Sequence, residues 1–252
     1  MAKPNSLTLS GLFRQTGAWV WSALYIPVML VVCTLTPKRK QSTRGPRWVR
    51  GWGKSTTAIA GVTTRYTPAA LAALSERRPR VLTFNHGSTL DVLVGASLLP
   101  DGGVLVLKEE FRKLPFLGRA SQSVGSVYLD RGNRERAYES LQRAGKRIRE
   151  ENLQALIAPE GTRTEDADLG RFKLGAFHLA HIAQASVLPV VMHNHKTLWP
   201  RGQFAPHRGI SVIDVLPEFT VESGDKEDLQ EVANSLRERY IERLAHGPSD
   251  VV

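Results

Sequence analysis

Three short stretches hold the residue types from which an acid–base or anion-binding site is made. The first is Asn85-His86-Gly87-Ser88-Thr89-Leu90-Asp91, directly after a β-rich run at residues 81–85. With a helix beginning near Ser88, His86 lies in the turn and Asp91 on the first helical turn, where the carboxylate can fold back toward the imidazole. A carboxylate bonded to one ring nitrogen sets the tautomer and raises the basicity of the other, which makes a two-residue general base. Gly87 lets a substrate approach the backbone, and free amides at the helix start suit a developing oxyanion. A blander reading stays open beside this one: Ser is a favoured helix cap, and the His and Asp would then be incidental.

The second stretch is Ala158-Pro159-Glu160-Gly161-Thr162-Arg163-Thr164, again directly after a β-rich run. Pro159 and Gly161 favour a tight turn, and a guanidinium projecting from it at Arg163 suits bidentate phosphate binding. Glu160 is placed to orient that arginine or to bond a substrate hydroxyl. A plain surface turn has the same composition. In the third stretch, residues 108–118, Lys108 ends a β-rich run and is placed to meet the same anion as a point charge, although a solvated lysine at a strand end is the commoner case. His178 and His181 on an expected helix, with His193 and His195 after a strand, offer imidazoles for zinc. Catalytic zinc needs three convergent ligands, which this spacing does not force, so no metal is expected. No G-x-S-x-G elbow of a serine hydrolase occurs.

The elements that must position these residues follow from the pattern of apolar runs. Short β-rich segments at residues 61–67, 81–85, 104–108, 126–130, 155–158, 187–192 and 210–216 alternate with longer helical ones. Strand, helix, strand repetition implies an α/β fold with a mostly parallel central sheet covered by helices. Residues 134–151 make a charged helix through Tyr138, Leu141 and Ile148. Residues 226–244 make an amphipathic one through Leu229, Val232, Leu236, Tyr240 and Leu244. In such sheets chemistry sits where strands end and helices begin, which is where all three stretches fall.

The first third of the chain is different in kind. The net charge of the 252 residues is +10, and residues 1–75 contain ten Lys or Arg and no Asp or Glu, so the whole excess lies there. Within it, residues 17–36 (GAWVWSALYIPVMLVVCTLT) are twenty without a charge. As a helix they would be about 30 Å long, enough to cross a bilayer core. Pro27 and the placement of Trp and Tyr make a kinked or half-inserted helix as reasonable as a straight span. An apolar run of this kind does not suit a nucleic-acid arm. Seven basic residues between Lys38 and Lys54 put the rest of the chain on the cytoplasmic face of the membrane by the positive-inside bias. Residues 44–60 read either as a second helix in the headgroup plane or as a solvated basic linker. The single cysteine, Cys33, falls in the apolar run, where lipid would keep its thiol unreactive. Two regions are therefore expected: a membrane-associated helical region at residues 1–60 and an α/β domain at residues 61–252.

Taken together the three stretches resemble the glycerolipid acyltransferases. Asn85 through Asp91 is similar to that family's NH-x4-D block, and Lys108-Glu109-Glu110-Phe111 with Leu114-Pro115 and Gly118 is similar to its second block. Pro159-Glu160-Gly161-Thr162-Arg163 is similar to its third, and Val187-Leu188-Pro189-Val190 to its fourth, in the family's order. The nearest resemblance is to bacterial members that acylate 1-acyl-sn-glycerol 3-phosphate. The resemblance implies that His86, oriented by Asp91, deprotonates the free hydroxyl of lysophosphatidate, which attacks the thioester of acyl-CoA or acyl carrier protein to give phosphatidate. It implies that Arg163 and Lys108 hold the acceptor phosphate and that Glu160, Gly161 and Thr162 complete the substrate-binding stretch. It implies no metal, no cofactor and no nucleic-acid partner. Two alternatives remain: another lysolipid as acceptor, or a non-enzymatic basic membrane-binding module in which the His–Asp pair is idle.

Overall fold

The structure is a computed structural model that describes residues 9–114, 117–130, 134–161 and 169–249. Two long helices come first, α1 (Leu9–Thr34) and α2 (Lys38–Ile59). Alternation then begins: β1 (Val62–Tyr66), α3 (Pro68–Ser75), β2 (Arg80–Phe84), α4 (Leu90–Leu98), β3 (Gly103–Lys108), α5 (Leu117–Ser123), β4 (Val127–Leu129), α6 (Arg134–Glu150), β5 (Gln154–Ile157), α7 (Gly175–Ala183), β6 (Ser186–His193), α8 (His195–Leu198), β7 (Gly209–Val215) and α9 (Lys226–His246). All seven β-rich runs of the sequence are strands, their ends displaced by one residue at most.

The strands form one sheet in the order β1-β7-β6-β2-β5-β3-β4. Neighbours are parallel except β6 and β7, which are antiparallel. Its two sides are filled by alternate residues, as a period of two requires. Val81, Ala155 and Val187 face one side and pack beneath α6, α7 and α9. Leu82, Leu156 and Leu188, each the next residue along, face the other and pack beneath α4 and the N-terminal helices. A strand buried on both faces reads as a continuous apolar run, which is why β2, β5 and β6 are legible in the sequence. α9 is tied to β2 by the Tyr240 hydroxyl, which donates to the Thr83 carbonyl oxygen at 2.9 Å.

α1 turns the usual arrangement of a surface helix inside out. Its buried positions are Gly11, Gln15, Ala18, Ser22, Met29 and Cys33, which share one face, while Leu9, Phe13, Trp19, Val20, Leu24, Val28 and Val31 are exposed. Small and polar residues face protein and large apolar ones face outward, the pattern of a helix whose outer medium is not water. α2 is a helix rather than a linker. It packs between α1 and α4, and Gly53 allows that approach, since a Cβ there would sit 2.7 Å from the Leu93 carbonyl oxygen. Trp21 and Trp52 donate across the α1–α2 seam to Ser55 Oγ (2.7 Å) and Ser22 Oγ (3.0 Å), so these rings clamp the helix pair. The expectation that lipid surrounds Cys33 is corrected here: its side chain is 1 % exposed and packs in the same apolar cluster as Leu82 and Leu90.

Candidate active site

β2 lies at the middle of the sheet, and the chain leaving it is pinned on both sides. The Asn85 side chain donates to the Met192 carbonyl oxygen (3.0 Å) and accepts from the Met192 N–H (2.8 Å), continuing the β2–β6 ladder where the strand has ended. The next amide, that of His86, donates to Glu160 Oε1 at 2.6 Å, and the other oxygen of Glu160 accepts from the Gly170 N–H at 2.7 Å. This carboxylate is 3 % exposed, and burial pushes its pKa up, partly offset by the two amide donors. The turn then enters α4 through a reciprocal cap: Ser88 Oγ accepts from the Leu90 N–H (3.2 Å), and Asp91 Oδ2 accepts from the Ser88 N–H (2.6 Å).

Asp91 is the centre of the arrangement, with a side chain 1 % exposed. Besides the Ser88 amide it meets two imidazoles. His86 Nδ1 lies 3.3 Å from Oδ2, and His195 Nδ1 lies 2.5 Å from Oδ1. An ionised carboxylate only accepts, so each histidine carries its proton on Nδ1. That leaves His86 Nε2 without a partner among the described residues, while His195 Nε2 accepts from the Ser211 hydroxyl at 2.6 Å. Burial alone would raise the Asp91 pKa, but the hydrogen bonds from His195, His86 and the Ser88 amide outweigh it and hold the carboxyl below its ordinary value. Of the two rings, His195 is enclosed and His86 is reachable, its side chain 18 % exposed.

A cavity of ≈ 550 Å³ adjoins this cluster, bounded by Asn85, Gly87 and Ser88 of the turn, by Asp91 and His195, and by α8 and the C-terminal half of α9; the His86 ring lies beside it and is not part of its wall. Leu169, Ile241 and Leu244 give it an apolar wall, and Lys196 and Arg237 line it too. The bare Cα of Gly87 leaves room for the end of the Lys196 side chain, which would have to move aside for a Cβ there. Buried donors and acceptors around a reachable basic nitrogen suit proton transfer. Among the described residues no group of three or more His, Cys, Asp or Glu side chains is placed to hold a metal ion.

The Acyltransferase family model matches residues 66–193, which run from the end of β1 to the end of β6 and include the whole His86–Asp91 turn. This chain belongs to the acyltransferase family. Among curated relatives of this acyltransferase-family chain, the 1-acyl-sn-glycerol-3-phosphate acyltransferase of Saccharomyces cerevisiae is 29 % identical over 170 residues, 67 % of this chain and 56 % of the yeast protein. The chain thus spans little more than half of that relative. The protein of the same name from Salmonella typhimurium is 23 % identical over 241 residues, 95 % of each chain. The crystal structure of the 1-acyl-sn-glycerophosphate acyltransferase PlsC from Thermotoga maritima superposes with a TM-score of 0.74 at 20 % identity, covering 95 % of this chain and 98 % of that one. The shared fold extends to the two N-terminal helices.

In this acyltransferase-family fold the described residues of the sites anticipated from sequence fall at one edge of the sheet, where the parallel strands end. His86 and Asp91 meet as the helix start required. Gly161 takes the left-handed conformation of a tight turn, φ 74°. Both oxygens of Glu160 hold backbone amides, so it braces the His86 turn. Lys108 stands at the end of β3, two strands from β2 and so about 10 Å across the sheet. Thr162 and Arg163, and Pro115 of the second block, lie outside the described residues. The sequence reading missed His195, weighed there only as a zinc ligand. The available signal was its position directly after β6, next to β2, where it joins the same edge.

Proposed function

We propose that this protein transfers a fatty acyl group from a thioester donor to the free hydroxyl of lysophosphatidate, making phosphatidate. The observation that carries the reading is the partly exposed His86 ring, whose Nδ1 faces the buried Asp91 carboxylate at 3.3 Å and whose Nε2 has no partner among the described residues. In this mechanism the acceptor hydroxyl loses its proton to Nε2 as its oxygen attacks the thioester carbonyl. The tetrahedral intermediate collapses by breaking the carbon–sulfur bond, and the departing thiolate takes the proton back from the imidazolium. Asp91 stabilises that imidazolium, and no covalent acyl-enzyme forms. Arg163 and Lys108 are assigned to the acceptor phosphate, and holding it fixes the hydroxyl near His86. Acyl-CoA and acyl carrier protein both meet the chemical requirement for a donor, and no metal or cofactor enters the reaction.

The reading also places the protein at the cytoplasmic membrane, with the outward apolar face of α1 in the bilayer. This helix is the one candidate membrane span among the described residues. Its opposite face is docked along its length, which favours shallow insertion over a free crossing. The test is an acyl-transfer assay on the purified full-length protein with lysophosphatidate, other lysophospholipids and glycerol 3-phosphate, each with both donor types. Transfer to lysophosphatidate that disappears in His86→Ala supports the proposal; unchanged turnover in that variant refutes the base assignment. Preference for another lysolipid would change the acceptor and keep the chemistry.

A further inference from the structure

A second group of cations gathers on the far side of His86 from Lys108. Because β7 runs antiparallel to β6, β1 and β7 begin at the edge where β2, β5 and β6 end. Gly61 precedes β1 with φ 89°, and its bare Cα lets two arginines close over it: a Cβ there would lie 2.9 Å from Arg14 Nε and 3.0 Å from Arg208 Cγ. Arg14 comes from α1 and Arg208 from the segment before β7. Lys54 of α2 joins them around a cavity of ≈ 770 Å³ that contains no acidic lining residue and shares no residue with the one beside Asp91. Arg14 is fixed by donating to the Ala60 carbonyl oxygen and to Ser10 Oγ, both at 3.3 Å. Among the described residues none of the three meets a carboxylate. β1 is three strands from β2, about 14 Å across the sheet.

Like charges brought together by separate parts of the chain, with no counter-charge, form a site that an anion completes. The position of this one selects the kind of anion. Phe13, adjacent to Arg14, is 75 % exposed and belongs to the outward apolar face of α1. An anion bound here is therefore at the border between that face and the charged surface, where phospholipid phosphates lie. We propose that Arg14, Lys54 and Arg208 form a binding site for the phosphate of an anionic phospholipid headgroup, separate from the acceptor site. Its occupation turns the edge bearing His86 toward the bilayer. The inference does not depend on the reaction proposed above.

The experiment measures partitioning of the purified full-length protein onto vesicles of phosphatidylcholine and of a phosphatidylcholine–phosphatidylglycerol mixture. A basic residue at an anionic surface accounts for about fivefold in affinity, so Arg14→Gln combined with Arg208→Gln should weaken binding to the mixed vesicles by roughly 25-fold. Binding to pure phosphatidylcholine should not change. Arg44→Gln with Arg47→Gln removes the same charge from α2 outside the cavity and should cost no more than about fivefold, because diffuse charges are screened. Gly61→Ala keeps every charge but separates the two arginines, and it should also lose the preference for the mixture while its melting transition reports on folding. Equal losses from the two arginine pairs would overturn the proposal. So would displacement from the mixed vesicles by soluble coenzyme A, which would make the ligand a free phosphate.

Discussion

Glu160→Gln is the substitution that most directly separates a brace from a substrate contact. The carboxylate accepts two backbone N–H groups, at 2.6 Å from His86 and 2.7 Å from Gly170. Glutamine keeps the shape but has one acceptor oxygen, so one amide must face the new NH2 group. The loss is one charge-assisted bond and one buried N–H left without a partner, together about 2–4 kcal/mol. For a chain of this length that lowers the melting temperature by roughly 5–15 °C. If the His86 amide is the one released, the imidazole shifts relative to the acceptor hydroxyl. A displacement of about 1 Å can reduce turnover on the order of 100-fold. The brace therefore predicts a lower melting temperature and a lower kcat with an acceptor KM close to that of the wild type. The assays are differential scanning calorimetry and steady-state transfer to lysophosphatidate. A raised acceptor KM with an unchanged melting temperature would refute the reasoning and return Glu160 to the substrate.

Three further outcomes follow from the same geometry. His86→Ala should reduce transfer by about 100- to 10,000-fold while folding and membrane recovery stay as in the wild type; a loss of folded protein would argue against a purely chemical role. His195→Asn removes the enclosed ring that takes Asp91 Oδ1 and should lower kcat about tenfold with acceptor KM little changed. A change confined to KM would sink its positioning role. Burial holds the His193 pKa below its ordinary 6.5, with Asp214 opposing and Arg243 and His195 adding to the effect. A depressed imidazole binds no proton in the fold while the unfolded chain does, so stability should fall as the pH drops below about 6.5. His193→Asn should flatten that slope below about pH 6.5, measured as melting temperature against pH, and an unaltered slope would assign it to other groups.

Much of this protein was legible in one dimension because the relevant signals are local. The runs Ala155 to Ile157 and Val187 to Met192 are apolar on both faces, so strand and burial coincide without reference to partners. His86 and Asp91 lie five positions apart and close within one turn, so spacing alone could propose the pair. The basic, acid-free first third and its uncharged twenty residues likewise announce a membrane-facing part. What depended on distance in the chain could not be read. His195 reaches Asp91 across 104 residues only because β6 lies beside β2, and Glu160 reaches the His86 amide across 74 because β5 lies on the other side. The reversal of β7 against β6 brings Arg208 to Arg14. Strand order decides which of several polar side chains become neighbours, and it is set by the summed packing of both faces of the sheet, a property that no single segment carries.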